Sequence, residues 1–207
     1  MTKRQPLRRR LTLTVVTAAV AAVPMACGYQ GLSMPAVTAI TLRGQGALTE
    51  PNPDSNAVTF NQALAPAGAR LAVTMIPSGE TTNVELTVNG LQPNRGYAVH
   101  AHTNACNNPD SVGPHYQNSL DPAATLLAPS VNPEYVNSNN EVWLDVRTDA
   151  GGSGVTRVTV PFVFTDRGPG SIVVHEAEQT DAAGKAGAPI ACLTLAADRP
   201  QDNTLLP

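Results

Sequence analysis

The chain has no amphipathic helical period of useful length, which excludes a fold built on helices that bury one face. It has no internal repeat, so it is not an array of small units. Its one long apolar run, residues 11–23, is too short to span a bilayer as an ordinary transmembrane helix. Histidine is scarce, four in 207 residues, and none is left over for a solvated surface. Basic residues are few outside the N-terminus. Residues 1–26 carry five of the thirteen Lys and Arg and no acid, leaving eight basic against sixteen acidic residues, a net charge of −8. That balance argues against nucleic acid as a partner. It also does nothing to attract an anion unless local positive charge offsets it.

What is present is a series of short β-like runs separated by Gly, Pro, Asn and Asp. The pattern predicts strands over 36–42, 57–60, 70–76, 82–88 and 95–103, then 141–147, 154–164, 171–175 and 190–196. Asn89-Gly90 and the D-A-G-G of residues 149–152 are turn signals. Strands at this spacing indicate an all-β antiparallel sandwich or flattened barrel, residues 36–207 forming one domain large enough for a real core.

Residues 97–106 read Y-A-V-H-A-H-T-N-A-C. A period of two puts His100 and His102 on one face, about 7 Å apart at the backbone, close enough for two imidazoles to share a metal ion. The other two histidines lie in G-P-H-Y, as His115, and in S-I-V-V-H-E, as His175. H-x-H alone is a weak signal, but all four histidines stand in strand or loop contexts of this kind, which favours a metal site. The series H-x-H, a cysteine, G-P-H, V-V-H-E and G-x-A-G…A-C resembles the copper,zinc superoxide dismutase family. The resemblance covers about residues 71–196. It implies a Greek-key, immunoglobulin-like sandwich whose long loops carry the metal site. It implies that His100, His102, His115 and His175 bind copper, and that Cys106 and Cys192 form a disulfide; the alternative is two buried free thiols, and export to an oxidising compartment favours the bond. The reaction it implies converts superoxide to oxygen and hydrogen peroxide by cycling copper between two oxidation states. His115 then leaves copper in the reduced state and takes a proton.

The chain departs from the family pattern in three places. Residues 116–140, where the family carries zinc ligands, contain no histidine, and Asp121, Glu134 and Glu141 make a poor zinc site without nitrogen or sulfur partners. Asp145 reads as a residue on the exposed face of a strand. His175 and Cys192 are only 17 positions apart, much less than the usual guidance loop requires. These two features resemble the copper-only branch of the family, so copper and no zinc is expected. Finally, A-G-A-P-I-A-C places Pro189 where the family has its active-site arginine, which implies reduced activity, with Lys185 the nearest base in sequence. Without zinc the outer nitrogen of His115 needs another partner. Glu176 and Glu178 are the candidates, and Glu178 is preferred because the copper-only branch uses a glutamate near this position. The alternative for both is a solvated loop acid. For function, the alternatives are a copper-handling protein of the same fold, and a sandwich reused as an interaction module, which would not require four histidines.

Residues 1–26 combine a basic start with a short apolar run and read as a signal peptide, by the general or the twin-arginine route, so export to the cell envelope is expected. Cys27 follows directly and resembles a bacterial lipoprotein cysteine, which would anchor the chain to a membrane through a tether over 27–35. The alternative is cleavage after Ala26 that leaves Cys27 a free thiol.

Overall fold

A computed structural model describes residues 38–106 and 110–198. The expected signal peptide, the tether and Cys27 lie outside these residues. The strands are β1 (Thr41–Ala47), β2 (Ala57–Thr59), β3 (Arg70–Ser78), β4 (Thr81–Asn89), β5 (Gly96–Tyr97) and β6 (Val99–His102). After a long loop come β7 (Val146–Arg147), β8 (Gly154–Val160), β9 (Ser171–His175), β10 (Pro189–Thr194) and β11 (Ala196–Asp198). Among the described residues there is no helix. One sheet runs β11-β1-β3-β4-β8, a second β2-β10-β9-β6, and β5 pairs with β7. The named strands pair antiparallel and the sheets pack as the expected all-β sandwich.

Alternation builds the core. Leu71, Val73 and Met75 of β3 and Val84, Leu86 and Val88 of β4 point inward and are buried, while their neighbours face outward. They meet Val99, Ala101, Ile172, Val174, Ala191 and Leu193 of the second sheet. The β3–β4 hairpin closes on Gly79-Glu80, with Ser78 opposite Thr81. Gly79 has φ 62°, the positive value that a II′ turn needs at its first central position. In the D-A-G-G turn, Asp149 Oδ1 accepts the backbone N–H groups of Gly151 at 2.8 Å and Ser153 at 2.9 Å.

Several strands differ from expectation: the one expected over 154–164 ends at Val160, the one over 190–196 is divided into β10 and β11, and three others differ more. The first lies at Thr41–Ala47, not 36–42, and includes the G-Q-G that reads as a break. Its glycines are there because other chain approaches closely: a Cβ on Gly44 would lie 2.8 Å from the Thr194 carbonyl, and one on Gly46 2.6 Å from Ala57 Cβ. The strand expected over 95–103 is split at Ala98, whose N–H bonds to the Ala177 carbonyl at 2.8 Å. The segment expected as a strand over 141–147 is regular only at Val146–Arg147, although Trp143 bridges to His100. The long loop is braced by its asparagines. Asn140 alone accepts from Ser119 N and donates to the carbonyls of Ser119 and Tyr135, side-chain bonds that replace the missing ladder.

On the outer face of the second sheet, Cys106 and Cys192 are bonded, with Cα atoms 5.6 Å apart, among Val58, Val112 and Val173. The bond closes 86 positions of chain. Reduction is expected to lower stability by about 2–5 kcal/mol, as the chain-entropy account gives for long loops. Urea unfolding with and without reductant measures this directly.

Candidate metal centre

β6 and β9 are neighbours, with His100 opposite Val173 and His102 opposite Ser171. The period of two turns Val99, Ala101, Ile172 and Val174 into the core and puts His100, His102 and His175 on the outer face. His115 arrives from the following loop and bridges to His102. The turn before it requires Gly113, whose φ is 74° and where a Cβ would collide with the Thr103 side chain. All four histidines predicted from the sequence therefore meet at one point.

Hydrogen bonds fix how each ring is turned. His102 Nδ1 is 2.8 Å from the Gly113 carbonyl and His175 Nδ1 is 3.0 Å from the Gly187 carbonyl. His115 Nδ1 is 2.9 Å from Glu141 Oε2, an oxygen that also accepts from Trp143 Nε1 at 2.8 Å. Carbonyls and such a carboxylate accept, so these Nδ1 atoms carry the hydrogens. His100 is reversed. Its Nε2 is 2.7 Å from Thr180 Oγ1, and Thr180 gives its own hydrogen to Asp145 Oδ1 at 2.6 Å, so Nε2 of His100 is the donor.

In neutral rings the remaining nitrogens, Nδ1 of His100 and Nε2 of the other three, are then bare, and they face one another. His100 Nδ1 is 2.8 Å from His115 Nε2, and His102 Nε2 is 3.1 Å from His175 Nε2. One nitrogen from each of the four lies within 4.8 Å of all the others. Lone pairs at that distance with no hydrogen between them repel, and a cation at their centre converts the repulsion into ligation. Protonation is disfavoured. Burial, then the neighbouring rings, holds His102 down to about 3. Burial likewise lowers His175 to about 4, against the bond to Gly187, and lowers His100 as well. Four imidazoles with inward nitrogens, three of them buried and the fourth partly so, could hold a metal ion.

The residues that orient this set were partly unexpected. Glu141, read from sequence as a weak zinc ligand, is the partner of His115. It is 1% exposed, and its other oxygen accepts Gln117 Nε2 at 3.0 Å, so both oxygens are satisfied, as burial demands. Glu178 does not take that place. It is exposed and lies 4.0 Å from Arg147, and Glu176 is exposed as well. Asp145 is not on an exposed strand face: it is half-buried and accepts Thr180 N at 2.7 Å as well as the Thr180 hydroxyl. Pro189 lines a cleft of about 420 Å³ with His102, Gly113 and Pro114, and no Lys or Arg lines it. Lys185 instead lines a different cavity, beside His115 and Glu141. The sequence carried no signal for the role of Glu141, and none for that of Thr180.

These features define a cluster of four histidines on a β-sandwich that could bind a metal ion. No family model matches the chain, and neither does any curated protein.

The only tryptophan, Trp143, has its ring centroid 5.7 Å from that of His100. Titration with a quenching ion such as Cu(II) or Ni(II) is expected to reduce its fluorescence with an endpoint at one equivalent. His102→Ala should remove that endpoint. Glu141→Ala or Thr180→Val should leave the fold intact but weaken metal affinity about 10–100-fold, the usual cost of losing a partner that orients a ligand. Competition with a chelator of known affinity reads that change.

Proposed function

We propose that the centre holds copper and that the protein is an exported, copper-dependent superoxide dismutase working without zinc. The observation that carries the reading is the convergence of four imidazole nitrogens, since imidazole is a ligand suited to copper. The resemblance in residues 71–196 points the same way, and the disulfide favours an oxidising compartment. The hydrogen bond from His115 Nδ1 to Glu141 supports a single-metal site, because it occupies the nitrogen that a bridging imidazole would offer a second ion.

Copper bound there would supply one-electron cycling, so that two superoxide ions and two protons give oxygen and hydrogen peroxide. The chain's residues supply the rest. His100, His102 and His175 are held by hydrogen bonds to Thr180, Gly113 and Gly187 and keep the donor set fixed. The side chain of His115 is 22% exposed, so it is the member placed to exchange a proton with water at Nε2. Glu141 keeps its Nδ1–H oriented meanwhile. The cleft beside His102 gives a small anion access but no positive charge to steer it. That last observation favours a second reading, a copper-handling protein of the same fold with little dismutase activity.

Dismutase rate per bound copper separates the two. The enzyme reading expects a rate well above that of copper on a chelating peptide, lost in His102→Ala. Equality with the peptide would replace it by the copper-handling reading. Pro189→Arg puts a guanidinium into the cleft and is expected to raise the rate several-fold, with a gain that shrinks as salt screens the charge. Metal analysis after exposure to both ions should find one copper and no full equivalent of zinc.

A further inference from the structure

A cavity of about 590 Å³ lies against His115, and nothing in the proposed reaction uses it. Its wall is the long loop, through Leu120, Ala124, Leu126, Pro129 and Val131, closed on the other side by residues 183–185. The loop holds apolar groups in water. Of the six exposed large hydrophobic residues among those described, four are Leu120, Leu126, Leu127 and Val131, the last three more than 80% exposed. A soluble surface seldom gathers such groups in one place without a use. The charges around the cavity are unequal in their commitments. Asp121 accepts Ser130 Oγ and the Ala123 N–H, and Glu141 is bonded to His115, Gln117 and Trp143. The Lys185 ammonium has no acidic partner among the described residues, and its backbone N–H alone is tied, to Asp181. Hydrogen bonding satisfies the two carboxylates without neutralising them, so Lys185 is the one group of the lining able to receive an anionic head beside the apolar wall.

We propose that this cavity binds a small amphiphile with a single anionic head, in chemical class a medium-chain carboxylate, its tail along the leucines of the loop and its head at Lys185. At about 30 Å³ for each water-sized group, the twelve heavy atoms of decanoate need about 360 Å³, which the cavity can take. The site does not depend on which metal the histidines hold, because its lining reaches the centre only through His115 and Glu141.

The full chain, metal-free and copper-loaded, is titrated with octanoate, decanoate and decanol by displacement of anilinonaphthalene sulfonate. Decanoate should bind saturably, one per chain, in both forms. Each CH₂ added from octanoate to decanoate should tighten binding about fourfold. Lys185→Glu should weaken decanoate about fivefold at low salt and leave decanol unchanged. Ala124→Phe, which fills the cavity from an already half-exposed position, should abolish binding of both. Binding only in the copper-loaded form would place the carboxylate on the metal and overturn the proposal. So would unsaturable binding, or decanoate binding indifferent to Lys185→Glu. Sedimentation of the free protein supplies a further arm: a dimer that Leu126→Glu dissociates would assign this face to a second copy of the chain.

Discussion

Four imidazole lone pairs directed at one point are the constraint on which the rest of the molecule depends. The arrangement is unfavourable in itself, since burial holds the protons off His100, His102 and His175 and crowds their ring nitrogens together with that of His115. It exists because each ring is turned from behind. Two backbone carbonyls, one carboxylate and one threonine hydroxyl take the outer hydrogens, and every one belongs to a segment distant in sequence from the ring it orients. The loops over the outer face of the second sheet are therefore the machinery of the site, and the sandwich beneath is what they are anchored to.

The anchoring is specific. β6 and β9 are buried on both faces, by the core below and by loops above. Ala98 leaves the ladder to bond the Ala177 carbonyl, which ties the segment after His175 to the strand that carries His100 and His102. Asp145 joins the same two elements from the other side, accepting the N–H of Val99 at 3.3 Å and that of Thr180. The disulfide fixes the start of the loop leading to His115 onto β10. Each tie joins a ligand-bearing element to a neighbour, so the donor set is positioned by the fold before any ion arrives.

Much of this was legible in the sequence because strand geometry has a period of two. H-x-H placed two histidines on one face, the alternation in β3 and β4 gave the core, and Gly-containing turns appeared where Asn89-Gly90 and D-A-G-G stand. What could not be read was anything fixed by contact across loops. Glu141 looks like any acid at the end of a polar stretch, and only the fold brings it under His115. Thr180 carries no signal at all, since its role comes from a hydroxyl that accepts on one side and donates on the other. The glycines of β1 misled for a related reason: a missing side chain reads as a turn, whereas here it makes room for other chain. Glu178 was preferred for its place in the sequence, yet the segment that holds it lies against Gly96, with the acid turned out to water.

The reversed ring of His100 has a mechanical consequence. A histidine that offers Nδ1 presents the nitrogen nearest its own backbone, so a small rotation about the side-chain bonds moves that atom less than it would move Nε2. Its far nitrogen is tethered through Thr180 to Asp145, which leaves the ring little play at either end. His115 is the opposite case, offering its outermost nitrogen from a loop and partly open to solvent. The donor set is thus stiff on one side and compliant on the other. If the centre holds a redox-active ion, as proposed, the displacement on a change of its charge should be taken up along a single direction, by His115 sliding against Glu141, while the strand ligands stay still.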